Sequence, residues 1–267
     1  GPRKNINDNV FSNWTCGTRA VNVIKSDLGG HISTSVNDNT ISGITASAAI
    51  TAITLGSGNS ALTQNCSGNT ISAISSTGGT VLGILSSSSS APTTNINNNT
   101  ISGLFTSNAG SAAVGIRMAT ASTANIFKNK IYDISAANAT ATVTGIEVQA
   151  TAAGTYNISN NLVGDLRADL TNSTIAIRGL NLASVTAGTT YNVFYNTVYL
   201  NALLGGTNFG TIAISATASA TAANGTLSLR NNIIVNASLP KGTGLTVAYR
   251  RTGTALNNFA TGSNNNI

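Results

Sequence analysis

Two acidic side chains are the strongest catalytic candidates in this chain. Asp133 and Asp165 occupy the same position in two successive copies of a repeated motif, within NKIYDI and NLVGDL. If these copies stack as neighbouring β-strands, the carboxylates lie about 5 Å apart, near the separation used by retaining glycosidases. The alternative is structural, because Gly43, Ala73 and Gly103 fill the same position in earlier copies. The sequence therefore indicates a candidate pair and assigns no catalytic residue.

Basic and aromatic residues are concentrated in the later copies of the motif, where the earlier copies carry Asn, Ser and Thr. Exposed rings beside lysine side chains can stack on sugars or pack against a protein partner. The candidate binding residues are Phe127, Lys128, Lys130, Tyr132, Phe194, Tyr195 and Tyr199. The alternative is that longer connections fold over these rings, since the spacing between copies grows from 30 to 36 residues.

A third candidate surface consists of hydroxyl groups. Three adjacent copies carry identical Thr-x-Ser units, which would form a flat and regular array on stacked strands. The residues are Thr40, Ser42, Thr70, Ser72, Thr100 and Ser102. This array resembles the faces of ice-binding solenoids, although it ends at Lys130 and Tyr132 in the next copy. The alternative is that small β-compatible residues suit any exposed sheet face.

The motif that positions all of these residues is centred on an asparagine. Blocks such as NINDNVFSNW, SVNDNTISGI and NINNNTISGL recur along the chain, and the fifth residue of each block is Asn. The central asparagines are Asn9, Asn39, Asn69, Asn99, Asn129, Asn161, Asn196 and Asn232. Asn tolerates the left-handed backbone conformation of a tight turn, and stacked Asn amides can hydrogen-bond along a column. We therefore predict that each central Asn forms a corner of one coil and one member of an Asn ladder.

Apolar residues flank each corner at fixed distances. Ile96 and Ile101, three residues before and two residues after Asn99, represent two core rows, and a third apolar strand follows as VGIRM from Val114. This pattern predicts an all-β solenoid of about eight coils of 30–36 residues, with three short strands per coil. A second ladder is expected four residues before each corner, at Asn5, Ser35, Asn65, Asn95, Asn125, Asn157, Asn192 and Ser228.

The pattern N-x-I-x-N-N-x-I covers nearly the whole chain. It resembles the parallel β-helix repeats of pectate-lyase-like enzymes and of large repetitive bacterial surface proteins. The Asn turn resembles the Asn-ladder turn of the pectate-lyase superfamily, which implies a right-handed parallel β-helix. The resemblance concerns architecture alone, so it transfers no catalytic residue to this sequence.

Composition limits the remaining function classes. The net charge is +6, but the 13 Lys and Arg residues are scattered, so no nucleic-acid partner is expected. His31 is the single histidine, so no His-based triad or zinc site can be assembled, and no cofactor or metal is expected. No apolar stretch approaches the roughly 18 residues that a membrane span requires. Cys16 and Cys66 are expected to be free thiols.

We expect residues 1–2 to be a tag remnant and residues 3–267 to form a single β-helix domain, a fragment of a longer repeat array. The favoured function is a non-enzymatic structural or adhesive segment of a secreted or cell-surface bacterial protein. Its expected partners are polysaccharides, cell surfaces or further copies stacked end to end. The first alternative is a carbohydrate-active β-helix, either a lyase or hydrolase or a binding module, and the second is an ice-binding solenoid.

Overall fold

The computed structural model describes residues 3–26, 32–56, 63–87, 93–120 and 123–267, so the expected tag remnant lies outside the described residues. Within these ranges the chain is all-β without a helix, and it forms a parallel β-solenoid of about seven turns with three sheets. The predicted fold class is therefore confirmed. The sequence predicts about eight coils. The first sheet stacks eight strands, and the seven steps between them make the about seven turns of the solenoid.

Each coil contributes one strand to the first sheet, one strand or two short ones to the second, and one to the third. The first sheet contains β1 (Arg3–Asn7), β4 (Ser33–Asn37), β7 (Thr63–Ser67), β10 (Thr93–Asn97), β14 (Thr123–Phe127), β18 (Thr155–Ser159), β22 (Thr190–Phe194) and β25 (Thr226–Arg230). The second contains β2 (Val10–Cys16), β5 (Thr40–Ala46), β8 (Thr70–Ser76), β11 (Thr100–Ile101), β12 (Leu104–Thr106), β15 (Lys130–Ile131), β16 (Ile134–Ala136), β19 (Leu162–Gly164), β20 (Leu166–Arg167), β23 (Thr197–Leu200) and β26 (Ile233–Asn236). The third contains β3 (Val21–Ser26), β6 (Ile50–Leu55), β9 (Val81–Ser86), β13 (Ala112–Met118), β17 (Thr142–Val148), β21 (Ser173–Leu182), β24 (Phe209–Ala216) and β27 (Thr246–Arg251).

The core lies inside the coil, where inward side chains of the three sheets meet. Ile96, Ile101 and Ile116 come from three different sheets of one coil, and each is 0% exposed. In the later coils Tyr156 and Tyr191 fill the interior, where their rings stack with centroids 5.6 Å apart. Parallel pairing in register places equivalent residues above one another, so each apolar row of the sequence becomes a column of the core.

The predicted Asn ladder is present at the corner between the first and second sheets. The backbone N–H and Nδ2 of Asn99 both donate to Oδ1 of Asn129, at 3.1 and 3.0 Å. Nδ2 also donates to the carbonyl oxygen of Cys66, at 2.9 Å. The same side-chain link joins the predicted asparagines from Asn9 onward, and it extends from Asn232 to Asn266, a further member that the sequence analysis missed.

The prediction that the ladder Asn adopts the left-handed turn conformation is wrong. The left-handed residue is the one before it, at Asp8, Asp38, Gly68, Asn98, Lys128, Asn160, Tyr195, Asn231 and Asn265. The two positions have different tasks, because the ladder Asn is buried and its amide is used for hydrogen bonding, whereas its neighbour only has to turn the chain. Residue type at the turning position is correspondingly varied.

The second predicted ladder runs along the outer face of the first sheet. Nδ2 of Asn95, Asn125, Asn157 and Asn192 each donates to Oδ1 of the preceding member, always at 2.8 Å. These bonds point toward the earlier coil, opposite to the corner ladder. The ladder is confirmed from Asn65 to Asn192. Outside this range Ser35 donates instead to Asn7 Oδ1, at 2.9 Å, and the buried Ser228 hydroxyl has no partner among the described residues.

Both cysteines are free, as predicted. Cys66 lies in the core row between Val36 and Ile96 and is 0% exposed, and burial raises the pKa of its thiol. Nδ2 of Asn69 donates to its Sγ at 3.4 Å. Cys66 is therefore a core residue without an accessible thiolate.

Candidate functional site

The predicted binding residues lie on two sheets and on the corner between them. Phe127 and Phe194 project from the outer face of the first sheet, with Ser159 between them in register. Lys128 and Tyr195 are left-handed corner residues, and Tyr195 is 58% exposed. The remaining three predicted residues lie on the second sheet. Lys130 is on β15, Tyr132 directly follows β15, and Tyr199 is on β23.

The second sheet presents two tyrosines separated by a glycine. Tyr132 is 39% exposed and Tyr199 is 46% exposed, and Gly164 occupies the same row in the coil between them. Two strand spacings separate the tyrosine positions, which is about 9.5 Å. Because Gly164 has no side chain, no other side chain stands between the two tyrosines in this row.

Large apolar side chains lie near the two tyrosines on the same sheet face. Leu162, Ile233 and Val235 are 47%, 49% and 40% exposed, and their strands pair in register with that of Tyr199. We call the outer surface formed by Tyr132, Leu162, Tyr199, Ile233 and Val235 the tyrosine face. Contiguous exposed apolar side chains of this kind are typical of interaction surfaces.

The two candidate catalytic acids lie beside the tyrosine face, at a kink in the sheet. Asp133 and Asp165 have φ values of 53° and 46°, and Gly43 and Gly103 have 65° and 60° at the same position in earlier coils. This left-handed residue separates β15 from β16 and β19 from β20. Asp is among the residues that tolerate this conformation, so the turn itself accounts for the presence of an acid.

One arginine bridges the two acids. Arg167 on β20 donates through Nη1 to Asp165 and through Nη2 to Asp133. The pKa of Arg167 is raised, chiefly by its hydrogen bond to Asp165. A glycosidase needs both carboxylates free to approach the glycosidic bond from opposite sides. Because one guanidinium contacts both, the geometry favours an ion-paired surface, and the catalytic role of the pair stays a prediction.

The Thr-x-Ser units form the expected array on the second sheet. Thr70 pairs in register with Thr40 and Thr100, and Lys130 follows in the next coil. A longer hydroxyl row, which the sequence analysis missed, lies on the first sheet at Ser33, Thr63, Thr93, Thr123, Thr155, Thr190 and Thr226. The signal for it was present, because these residues lie six positions before each corner Asn.

The ice-binding hypothesis predicts that the Thr-x-Ser units of the second sheet, and not the hydroxyl row of the first sheet, contact ice. If the Thr-x-Ser face binds ice, Thr70→Tyr should abolish thermal hysteresis, because a bulky ring lifts the flat array away from the ice surface. Thr123→Tyr is the matched control on the first sheet and should retain it. Absence of thermal hysteresis in the unsubstituted protein would reject ice binding by either row, and loss only in Thr123→Tyr would reject the Thr-x-Ser face.

No family model, no curated protein and no solved structure matches this chain. The described residues include no helix that could span a membrane. The described residues also contain no group of three or more His, Cys, Asp or Glu side chains that could hold a metal ion.

Proposed function

We propose that this solenoid is a non-enzymatic structural or adhesive segment of a secreted or cell-surface bacterial protein. The observation that carries the proposal is the corner ladder, which links successive coils from Asn9 to Asn266 by side-chain hydrogen bonds. In a repeat architecture each unit contacts only its neighbours, so stability accumulates as units are added. A ladder that repeats in every coil is suited to building length and displaying a surface.

The charged groups support the same proposal. Asp133, Glu147 and Asp165, three of the seven acids, are engaged in ion pairs with arginine, so these three carboxylates are not free for acid–base chemistry. The net charge of +6 favours anionic polysaccharides or cell surfaces as partners, and stacking of copies end to end belongs to the same proposal. Concentration-dependent sedimentation tests the stacking separately.

A cleavage assay tests the non-enzymatic assignment. Incubation with neutral and acidic polysaccharides is expected to release no new reducing ends and no unsaturated products. Release that disappears in Asp133→Asn or Asp165→Asn would contradict the proposal. Asparagine is the appropriate replacement because it keeps the left-handed turn, so a loss of activity would not reflect a misfolded kink.

The tyrosine face supports a second candidate function, carbohydrate binding. A sugar ring has an apolar side that packs on aromatic rings, and the polar group formed by Asp133, Arg167 and Asp165 lies next to Tyr132 to receive hydroxyl groups. As part of this second proposal, the chain is a member of the pectate-lyase-like superfamily and coils in the right-handed sense. The motif resemblance and the adjacent ring and ion-pair surfaces support it.

Ring removal tests carbohydrate binding. If the tyrosine face binds a glycan, Tyr132→Ala and Tyr199→Ala should each weaken the affinity about tenfold or more, a loss of about 1.4 kcal/mol, measured by titration calorimetry. Tyr195→Asn is the matched control, because it removes an exposed ring from the neighbouring corner and Asn occupies that turning position in other coils. An equal loss in all three variants would contradict a site on the tyrosine face.

A further inference from the structure

The outer face of the third sheet carries a cluster of arginines in its later coils. One row of this face runs through successive strands in register and contains Arg117, Glu147, Asn181, Ser215 and Arg250. Arg178 lies three residues before Asn181 on β21, in the neighbouring outward row between Thr144 and Ile212. Three guanidinium groups therefore share this part of the sheet with one carboxylate.

The single carboxylate is already engaged. Oε2 of Glu147 accepts a hydrogen bond from Nε of Arg117 at 2.7 Å, and Oε1 accepts one from Nδ2 of Asn181 at 3.0 Å. Glu147 is 9% exposed, so this ion pair is largely shielded from solvent. Among the described strands of the third sheet, no other Asp or Glu is present. Arg178 and Arg250 consequently have no carboxylate of their own.

Arg178 and Arg250 lie near enough for the charge of Arg250 to act on Arg178. Neither guanidinium donates a hydrogen bond to a described residue, and both side chains are half-buried. Burial lowers the pKa of Arg178, Glu147 opposes this change, and the proximity of Arg250 lowers the pKa further. Partly desolvated like charges destabilise a protein unless an opposite charge compensates them. An oxyanion placed between the two guanidinium groups would compensate their charge.

Two neutral groups complete the surroundings. Ser215 lies in register between Asn181 and Arg250 and is 6% exposed, although it is on the outer face. Its hydroxyl makes no hydrogen bond to a described residue. The Asn181 amide uses one N–H for Glu147 and retains a second donor. Planar and tetrahedral oxyanions in proteins accept hydrogen bonds from such groups, here two guanidinium groups, one hydroxyl and one amide.

We propose that Arg178 and Arg250, with Ser215 and Asn181, form a binding site for an oxyanion of the carboxylate, sulfate or phosphate class. The ion pair between Arg117 and Glu147 borders the site and orients Asn181. The charge balance selects an anion, because three arginines against one glutamate leave two uncompensated positive charges. The site is separate from the tyrosine face, which lies on the second sheet.

Calorimetry and thermal melting with defined anions test this site. Sodium sulfate, sodium phosphate and an oligomer of a uronic acid are each titrated into the protein at constant ionic strength, with chloride as the reference anion. Binding of at least one of these anions is expected, together with a rise in melting temperature that chloride does not produce. Arg178→Gln and Arg250→Gln should each reduce the affinity about tenfold or more.

The control and the source of the anion are built into the same experiment. Arg230→Gln removes an equal charge from the first sheet, where Arg230 lies over the Phe194 ring, and should leave binding unchanged. Equal affinity for sulfate and the uronic acid oligomer would identify the oxyanion alone as the ligand, and tighter binding of the oligomer would identify an acidic sugar. No binding of any of these anions, or an equal loss in Arg230→Gln, would overturn the proposal. In the absence of anion, Arg178→Gln should melt no lower than the unsubstituted protein, so a folding defect is distinguishable from a lost ligand.

Discussion

Replacing Asn99 with alanine is expected to lower the free energy of unfolding by about 3–5 kcal/mol. Oδ1 of Asn99 accepts hydrogen bonds from the backbone N–H and Nδ2 of Asn69, at 3.0 and 2.9 Å, and the side chain is 1% exposed. Alanine leaves both donors and the carbonyl oxygen of Cys66 without these partners in a space closed to water. Denaturant-induced unfolding followed by circular dichroism measures the loss.

The neighbouring residue provides a matched control for the ladder. Asn98 is exposed and has φ 54°, so Asn98→Gly keeps the turn and removes only an exposed hydrogen bond to Asn97. Its effect on stability should stay within about 1 kcal/mol of zero. A similar loss in both variants would show that the corner, and not the ladder amide, provides the stability.

Replacing Gly115 with valine should destabilise the protein by about 3 kcal/mol. A Cβ atom at Gly115 would lie 2.6 Å from Cγ2 of Ile131 and 2.7 Å from the carbonyl oxygen of Gly145. The other glycines of this inward row, Gly83, Gly145 and Gly179, are confined in the same way. The third sheet thus approaches the second so closely that a branched side chain must displace backbone. The melting temperature measures the effect.

Gly17→Val is the control for the inward glycine row. A Cβ atom at Gly17 meets nothing within 4 Å, so the same substitution there adds volume without a clash. It should shift the melting temperature little. If Gly115→Val melts like the control, the close approach of the two sheets is not a requirement of the fold.

Much of the fold could be predicted because each coil repeats one local rule. The corner Asn, with apolar residues such as Ile96 and Ile101 at fixed distances, determines where the chain turns and which side chains face inward. Parallel stacking then requires no further information, since register follows from the repeat. Asn266 could not be predicted from the repeat. The last block, SNNNI, has Ser263 in place of the apolar residue that lies three positions before the corner Asn in the other copies.

Conformation within the turns and contacts between long side chains could not be predicted in the same way. Asn tolerates the left-handed conformation, which is why the sequence predicts it at the corner Asn. The amide of that Asn is buried in the ladder, and the preceding residue adopts the left-handed conformation instead. The stacking of Asp133 and Asp165 was foreseen from the alignment, whereas the bridging Arg167 depends on side-chain conformation across a kink. The spacing of charged residues places them on one face without determining their partners.

Residue-resolved amide hydrogen exchange tests the central claim, that side-chain amides hold successive coils together. The backbone N–H of Asn69 donates to Asn99 Oδ1, and that of Asn39 donates to Asn69 Oδ1, both at 3.0 Å. In Asn99→Ala the Asn69 amide should lose far more protection than the Asn39 amide, because only the acceptor of Asn69 has been removed. Equal changes at the two amides, or continued full protection of Asn69, would contradict the ladder as the element that stabilises this solenoid.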